Sequence, residues 1–357
     1  MSLLKNAVYY TVLATTTGFY GFTGALALAW EYIRNGRAPF ARIKHEEPEV
    51  LKGWKHGYLK LSEINMHYVE TGDPSKPLLL LVHGFPEFWY SYRHQLKYFE
   101  RDYHVVAIDL RGYGGSDKPT DLASYSSTKL VNDLAEVIPA LGRQRAFVVA
   151  HDWGGALAWI LTAVHPELVE KLVILNVPHP FSFRKFIAST WKQFRLSWYM
   201  FFFVNPWLPE LFMRRNDLAS LIAMFRNKKV GLVNSENFTD ADEAAWKYAF
   251  SGENAFTGPL NFYRAFLLRI NPLPLPATPI QPETLIIWGE KDGALAIEAA
   301  EDSLRHCRSA KIHKIPNASH WVQQDAPEEV NRAIENFLRA EPIEIGEGVE
   351  VEHKASL

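Results

Sequence analysis

"VVAHDWGGALAW", residues 148–159, runs an apolar, strand-like segment into a carboxylate, and two glycines then open a helix-like stretch. Asp152 stands between Ala150 and Gly154. This small-x-acid-x-small spacing suits a strained strand-to-helix turn, which needs small neighbours to lift its central side chain above a sheet. The central residue of such a turn is a nucleophile, most often a serine; here it is an aspartate. The competing role is a helix N-cap, which aspartate also suits through hydrogen bonding and the helix dipole. Taken alone, the stretch is compatible with either.

Similar runs flank it: "LLLLVHGF" (78–85), "HVVAIDLRG" (104–112), "KLVILNVPH" (171–179), "ETLIIWGE" (283–290) and "AKIHKIP" (310–316). Apolar on both faces and separated by helical stretches, they predict an α/β fold, a mostly parallel sheet with helices on both sides. "GYLKLSEINMHYVETG" (57–72) alternates around a turn-like centre and predicts an antiparallel edge hairpin. The rhythm stops over 181–271, where "WKQFRLSWYMFFFVNPWLPELFM" and "TDADEAAWKYAF" contain no strand-like run. An all-helical cap inserted into the sheet domain is expected there, with the core divided into 46–180 and 272–340. Five prolines in "NPLPLPATPIQPE" (271–283) return the chain to the sheet. Residues 341–357 form an acidic, aperiodic tail that is expected to be loosely held.

A chain of 357 residues can bury a sizeable core. Its net charge of -2 gives no electrostatic case for nucleic acid. The single cysteine, Cys307, excludes an internal disulfide, and no Cys/His cluster has metal-ligand spacing. Residues 1–45 stand apart. Ala7 to Trp30 is an uncharged run of 24 residues, long enough to cross a hydrocarbon layer of roughly 30 Å. A retained single-pass membrane anchor is the preferred reading, with a cleaved signal peptide and an interfacial helix as the alternatives; Trp30 and Tyr32 resemble interfacial anchors. Lys5 precedes the run, while Arg34, Arg37, Arg42 and Lys44 follow it, which predicts a following domain that faces the cytosol. A glycan on the Asn237-Phe238-Thr239 sequon would contradict that orientation.

Two further residues favour the nucleophile reading of Asp152. "LIIWGEKDGAL" (285–295) puts Asp292 just past a strand, and "NASHWVQQDAPEEV" (317–330) puts His320 in a loop before the last helix. Nucleophile, acid and histidine then follow in the chain order of α/β-hydrolases. His320 would activate a water, and Asp292 would orient its imidazole. "HGFPE" (83–87), directly after the first parallel strand, would supply an oxyanion hole from the Phe85 N–H together with the Trp153 N–H. His83, Pro86 and His151 are expected around the substrate pocket; the two histidines, like His179, serve mainly as structural hydrogen-bonders. Asp109 and Arg111 in "DLRGYGGSDKP" (109–119) read as structural.

Together HGFPE, DLRGYGGSDKP, HDWGG, GEKD and NASHW resemble the epoxide hydrolases of the α/β-hydrolase superfamily, over roughly residues 50–340. The N-terminal apolar segment is most similar to the membrane-anchored epoxide hydrolase 3/4 group. Ala150 departs from the glycine frequent at that elbow position. The resemblance implies two cap tyrosines that hydrogen-bond an epoxide oxygen: Tyr263 in "GPLNFYR" and Tyr199 in "LSWYMFFF". It also implies a covalent Asp152 ester cleaved by His320-activated water, a vicinal diol product and no cofactor. The aromatic cap and the anchor suggest a lipophilic substrate such as a fatty-acid epoxide, met at the endoplasmic reticulum membrane. A haloalkane dehalogenase is the rival enzyme, disfavoured by Phe85 where a halide-holding Asn often stands. A non-catalytic lipid-binding protein is the rival outside enzymes. The oligomeric state stays open.

Overall fold

All six predicted apolar runs form strands of one sheet. A computed structural model describes residues 3–339; the predicted acidic tail lies outside them. The eight strands are β1 (Lys55–Lys60), β2 (Asn65–Thr71), β3 (Leu78–Val82), β4 (His104–Ile108), β5 (Ala146–His151), β6 (Val169–Leu175), β7 (Glu283–Gly289) and β8 (Ala310–Ile315). They lie in the order β1-β2-β4-β3-β5-β6-β7-β8. The predicted hairpin is the β1/β2 pair at the edge; β2 is antiparallel to β4, and all later pairings are parallel. Every residue of β3, β4 and β5 is buried, as expected of predominantly apolar strands covered on both faces.

The helices of the core are α2 (Arg93–Phe99), α3 (Ser127–Ala140), α4 (Asp152–Val164), α11 (Ile297–Ser303), α12 (Val322–Asp325) and α13 (Pro327–Arg339). The chain places β4 on one side of β3 and β5 on the other, so the winding reverses at β3. Ligands of open α/β sheets bind at such a reversal, beyond the carboxyl ends of the strands. There Val82 pairs with Ala150, which sets the loop after β3 beside the start of α4.

Between β6 and β7 the described chain is helical: α5 (Pro180–Ser189), α6 (Trp191–Leu196), α7 (Trp198–Phe203), α8 (Leu208–Arg226), α9 (Asp240–Phe250) and α10 (Thr257–Leu267). α8 breaks at Arg215–Leu218, where the backbone leaves helical angles. A complete capping box starts α9: Thr239 bonds the Asp242 N–H, and Asp242 bonds the Thr239 N–H. α1 (Leu3–Asn35) extends beyond the predicted span at both ends, is long and apolar enough to cross a membrane, and packs against α7 and α8.

Candidate active site

Asp152 begins α4 with a φ of 47°, a left-handed backbone rare for a residue with a side chain. The turn is feasible because its surroundings are stripped of Cβ atoms. A Cβ on Gly154 would stand 2.4 Å from the carbonyl oxygens of both Val82 and His83, and one on Gly84 would stand 2.5 Å from the Asp152 Cβ. The carboxylate is thereby lifted toward the loop after β3, where the Phe85 N–H donates to its Oδ1 at 2.9 Å. Trp153 follows in the first turn of α4, where backbone N–H groups have no partner within the helix.

The other oxygen, Asp152 Oδ2, lies 3.5 Å from His320 Nε2. On the far side of the ring, His320 Nδ1 donates to Asp292 Oδ2 at 2.8 Å. Asp292 is fixed in turn by the N–H groups of Ala294 (2.7 Å) and Leu295 (2.9 Å) on its Oδ1. Nucleophile candidate, histidine and acid thus meet in one buried row. Burial alone would lower the His320 pKa, but Asp292 and Asp152 on either side outweigh it and push it up to about 10. For Asp152, burial works upward, yet the His320 hydrogen bond and charge, His151 and the Phe85 N–H hold it below the usual carboxylate range.

Cap aromatics roof this row. Tyr263 is buried and stands edge-on to Phe85 (5.2 Å between ring centres), Trp153 (5.0 Å) and Tyr199 (5.9 Å). Burial first, then the charge of Asp152, raises the pKa of both phenols, so they stay protonated donors. Pro86 is buried, and its carbonyl accepts from Trp246 Nε1 at 2.9 Å.

His83 and His151 are fully buried and spend their ring nitrogens on the protein. His83 Nε2 accepts from the Leu110 N–H (3.0 Å) and Nδ1 donates to Gly84 O (2.8 Å), tying β3 to β4. His151 lies between Glu87 Oε2 (2.7 Å) and His320 O (2.8 Å), both acceptors. His179 caps α5 by accepting from the Phe181 N–H. Asp109 bonds His67 and the N–H groups of Trp89 and Gly115, and Arg111 forks onto Asp133.

Two residues escaped the sequence reading. Glu87 is wholly buried, accepting from the Gly84 N–H, His151 and the amides of Gln323 and Gln324. Asn176, directly after β6 and at a φ of 46°, donates to Asp292 Oδ2 at 2.7 Å and accepts from the Gly289 N–H at 2.9 Å. The signal for Asn176 was a polar residue closing an apolar strand between the strands that carry Asp152 and Asp292.

The comparisons agree with this architecture. Residues 77–327 match the family described as alpha/beta hydrolase fold. The chain is 47% identical over 332 residues to epoxide hydrolase 1 of Caenorhabditis elegans, covering 92% of this chain and 81% of that protein. It is 35% identical over 349 residues to human epoxide hydrolase 4, covering 96% of each. Among solved structures, a Bacillus megaterium epoxide hydrolase in complex with an inhibitor superposes with a TM-score of 0.73 at 32% identity, over 80% of this chain and 100% of that one. The chain belongs to the epoxide hydrolases of the α/β-hydrolase fold, hydrolases that act on ether bonds.

Proposed function

We propose that the chain opens lipophilic epoxides, fatty-acid epoxides foremost, to vicinal diols through a covalent Asp152 ester. One observation carries the mechanism: the two Asp152 oxygens have different partners, Oδ1 the Phe85 N–H and Oδ2 His320. Oδ2 attacks an epoxide carbon; the carbon–oxygen bond of the ring breaks while Tyr199 and Tyr263 donate hydrogen bonds to the leaving oxygen. Esterification removes the Asp152 charge, and with it part of what holds the extra proton on His320. That proton balances the new alkoxide and leaves His320 neutral. The imidazole then takes a proton from water, and the resulting hydroxide attacks the ester carbonyl. Oδ1 collects the negative charge, with the Phe85 N–H already donating to it and the Trp153 N–H as the second donor. The diol departs, and Asp152 and protonated His320 are restored. A serine at this corner would form an ether that water does not readily cleave.

The reading extends to place: an endoplasmic reticulum membrane, with the catalytic part on the cytosolic side. The charges that flank the apolar run, Lys5 before it against Arg34, Arg37, Arg42 and Lys44 after it, support that side, and a glycan on Asn237 would overturn it. A single turnover in H₂¹⁸O tests the chemistry. Label should appear in Asp152, and His320→Gln should accumulate the ester while Asp152→Ala forms neither ester nor diol. Diol formation by Asp152→Ala, or halide release without diol, would overturn the mechanism.

A further inference from the structure

α1 is seated on the cap along most of its length. Near its start, Tyr9 Oη donates to Leu267 O at 2.7 Å and the Arg269 guanidinium lies 3.8 Å from the Tyr9 ring centre. In its middle, Asn205 Nδ2 donates to Thr17 O at 3.1 Å, and Tyr20 packs on Trp198. Near its end, Glu31 pairs with Arg215 at 2.6 Å. The approach is closest at two glycines: a Cβ on Gly21 would fall 2.3 Å from the Asn205 side chain, and one on Gly24 2.5 Å from the Phe202 ring. From Tyr9 to Glu31 these contacts follow about 33 Å of helix at 1.5 Å per residue.

The opposite face is apolar and bare. Val8, Val12, Phe19, Phe22, Leu26 and Trp30 are between 45% and 64% exposed. At 3.6 residues per turn they fall within an arc of about 80°. A helix that spans a bilayer needs lipid-compatible surroundings across the whole hydrocarbon layer. Here the cap brings Arg269, Asn205 and Arg215 against that same length, so spanning would either break the docking or draw charged cap surface into hydrocarbon. Lying flat satisfies both faces at once. The rims suit an interface: Trp198 (45% exposed) and Trp207 (77% exposed) stand on the cap beside the α1 contacts. Residues 32–45 carry Arg34, Arg37, Arg42 and Lys44 with no acid, a charge complement to anionic headgroups.

We propose that α1 lies in the plane of one membrane leaflet, its bare stripe among the acyl chains and the cap seated on its other face, with both helix ends on the same side. This revises the single-pass span expected from length and hydropathy. Its geometry does not depend on the reaction, but where the epoxide reading holds it has a consequence. α7 carries Trp198 against α1 and Tyr199 into the site, so a substrate dissolved in the leaflet is one helix away from Asp152.

The test uses the full chain with Cys307→Ser, inserted into sealed microsomes during synthesis, and single cysteines at Leu4, Phe22 or Asn35. An impermeant maleimide should label Leu4→Cys and Asn35→Cys to the same extent on intact vesicles, and Phe22→Cys at least ten-fold less. Labelling of one end only after permeabilisation would show a span and overturn the proposal. Full labelling of Phe22→Cys would show a helix outside the lipid and overturn it equally. As a second arm, Phe19→Asp with Phe22→Asp should lower flotation with anionic vesicles at least ten-fold while the melting curve stays in place. Undiminished flotation would refute the docking stripe.

Discussion

At the scale of single residues, the site runs on one histidine held between two carboxylates. In the free enzyme the His320 pKa is raised to about 10, and the nucleophile is an anion even below the usual carboxylate range. Alkylation should therefore be flat from about pH 5 to about 9 and fall only as His320 loses its proton. Once Asp152 is esterified, one of the two groups that raise the His320 pKa is gone, so its value drops. Hydrolysis needs the neutral ring and should slow toward acid pH. Quench-flow measurement of ester formation and decay across pH checks both limbs; a hydrolysis rate independent of pH would contradict the assignment. Stability follows the same sign. The folded His320 pKa lies above the unfolded value of about 6.5, so its contribution is full below that value and is lost as pH rises toward about 10.

At the scale of elements, the carboxyl ends of β3, β5, β6 and β7 do the positioning. The elbow works because α4 starts within contact of the loop after β3, and Gly154 is where the two meet. Gly154→Ala would press a methyl group against two carbonyl oxygens at 2.4 Å, which backbone cannot absorb without moving α4. A displacement of order 1 Å costs about 10²-fold in rate, so single-turnover alkylation should fall by about that factor, together with a lower melting temperature. Normal alkylation by a stable Gly154→Ala would show that the elbow is less constrained. Much of this level was legible in the sequence, because each strand announced itself as an apolar run and Asp152, Asp292 and His320 each follow one. Glu87 and Asn176 were not, since their roles arise only when neighbouring strands are aligned and a buried N–H needs an acceptor. Nor was the orientation of α1: its threonines, glycines and tyrosines fall on both faces of an apolar run, and only contact with the cap separates the docked face from the bare one.

At the scale of the whole molecule, the cap is latched to the core beside His320 as well as through the substrate roof. Arg93 on α2 is buried and reaches Asp242 of α9 (3.1 Å), Asn237 O (2.8 Å) and Gln324 (2.8 Å). Asp325 on α12 accepts from the N–H groups of Val233 (3.0 Å) and Asn234 (2.8 Å), in the segment between α8 and α9, and from that of Ser319 (2.6 Å). The two latches differ in what they hold. Arg93 joins the cap to α2 and to Gln324 of α12, whereas Asp325 also bonds the backbone N–H of Ser319, directly beside His320. Arg93→Ala leaves a buried carboxylate without its cation, a loss of about 3–5 kcal/mol, and should lower the melting temperature by roughly 5 °C or more. Asp325→Ala strands the buried Ser319 N–H and leaves those of Val233 and Asn234, both part-buried, to water, so it should destabilise by less. Only the second removes a hydrogen bond to the backbone beside His320, so it should slow ester hydrolysis out of proportion to alkylation, and more than Arg93→Ala does. Thermal melts of both variants, read beside single-turnover accumulation of the Asp152 ester, separate the two effects. Equal slowing of both steps in Asp325→Ala would mean that the latch acts through the cap as a whole and not through His320.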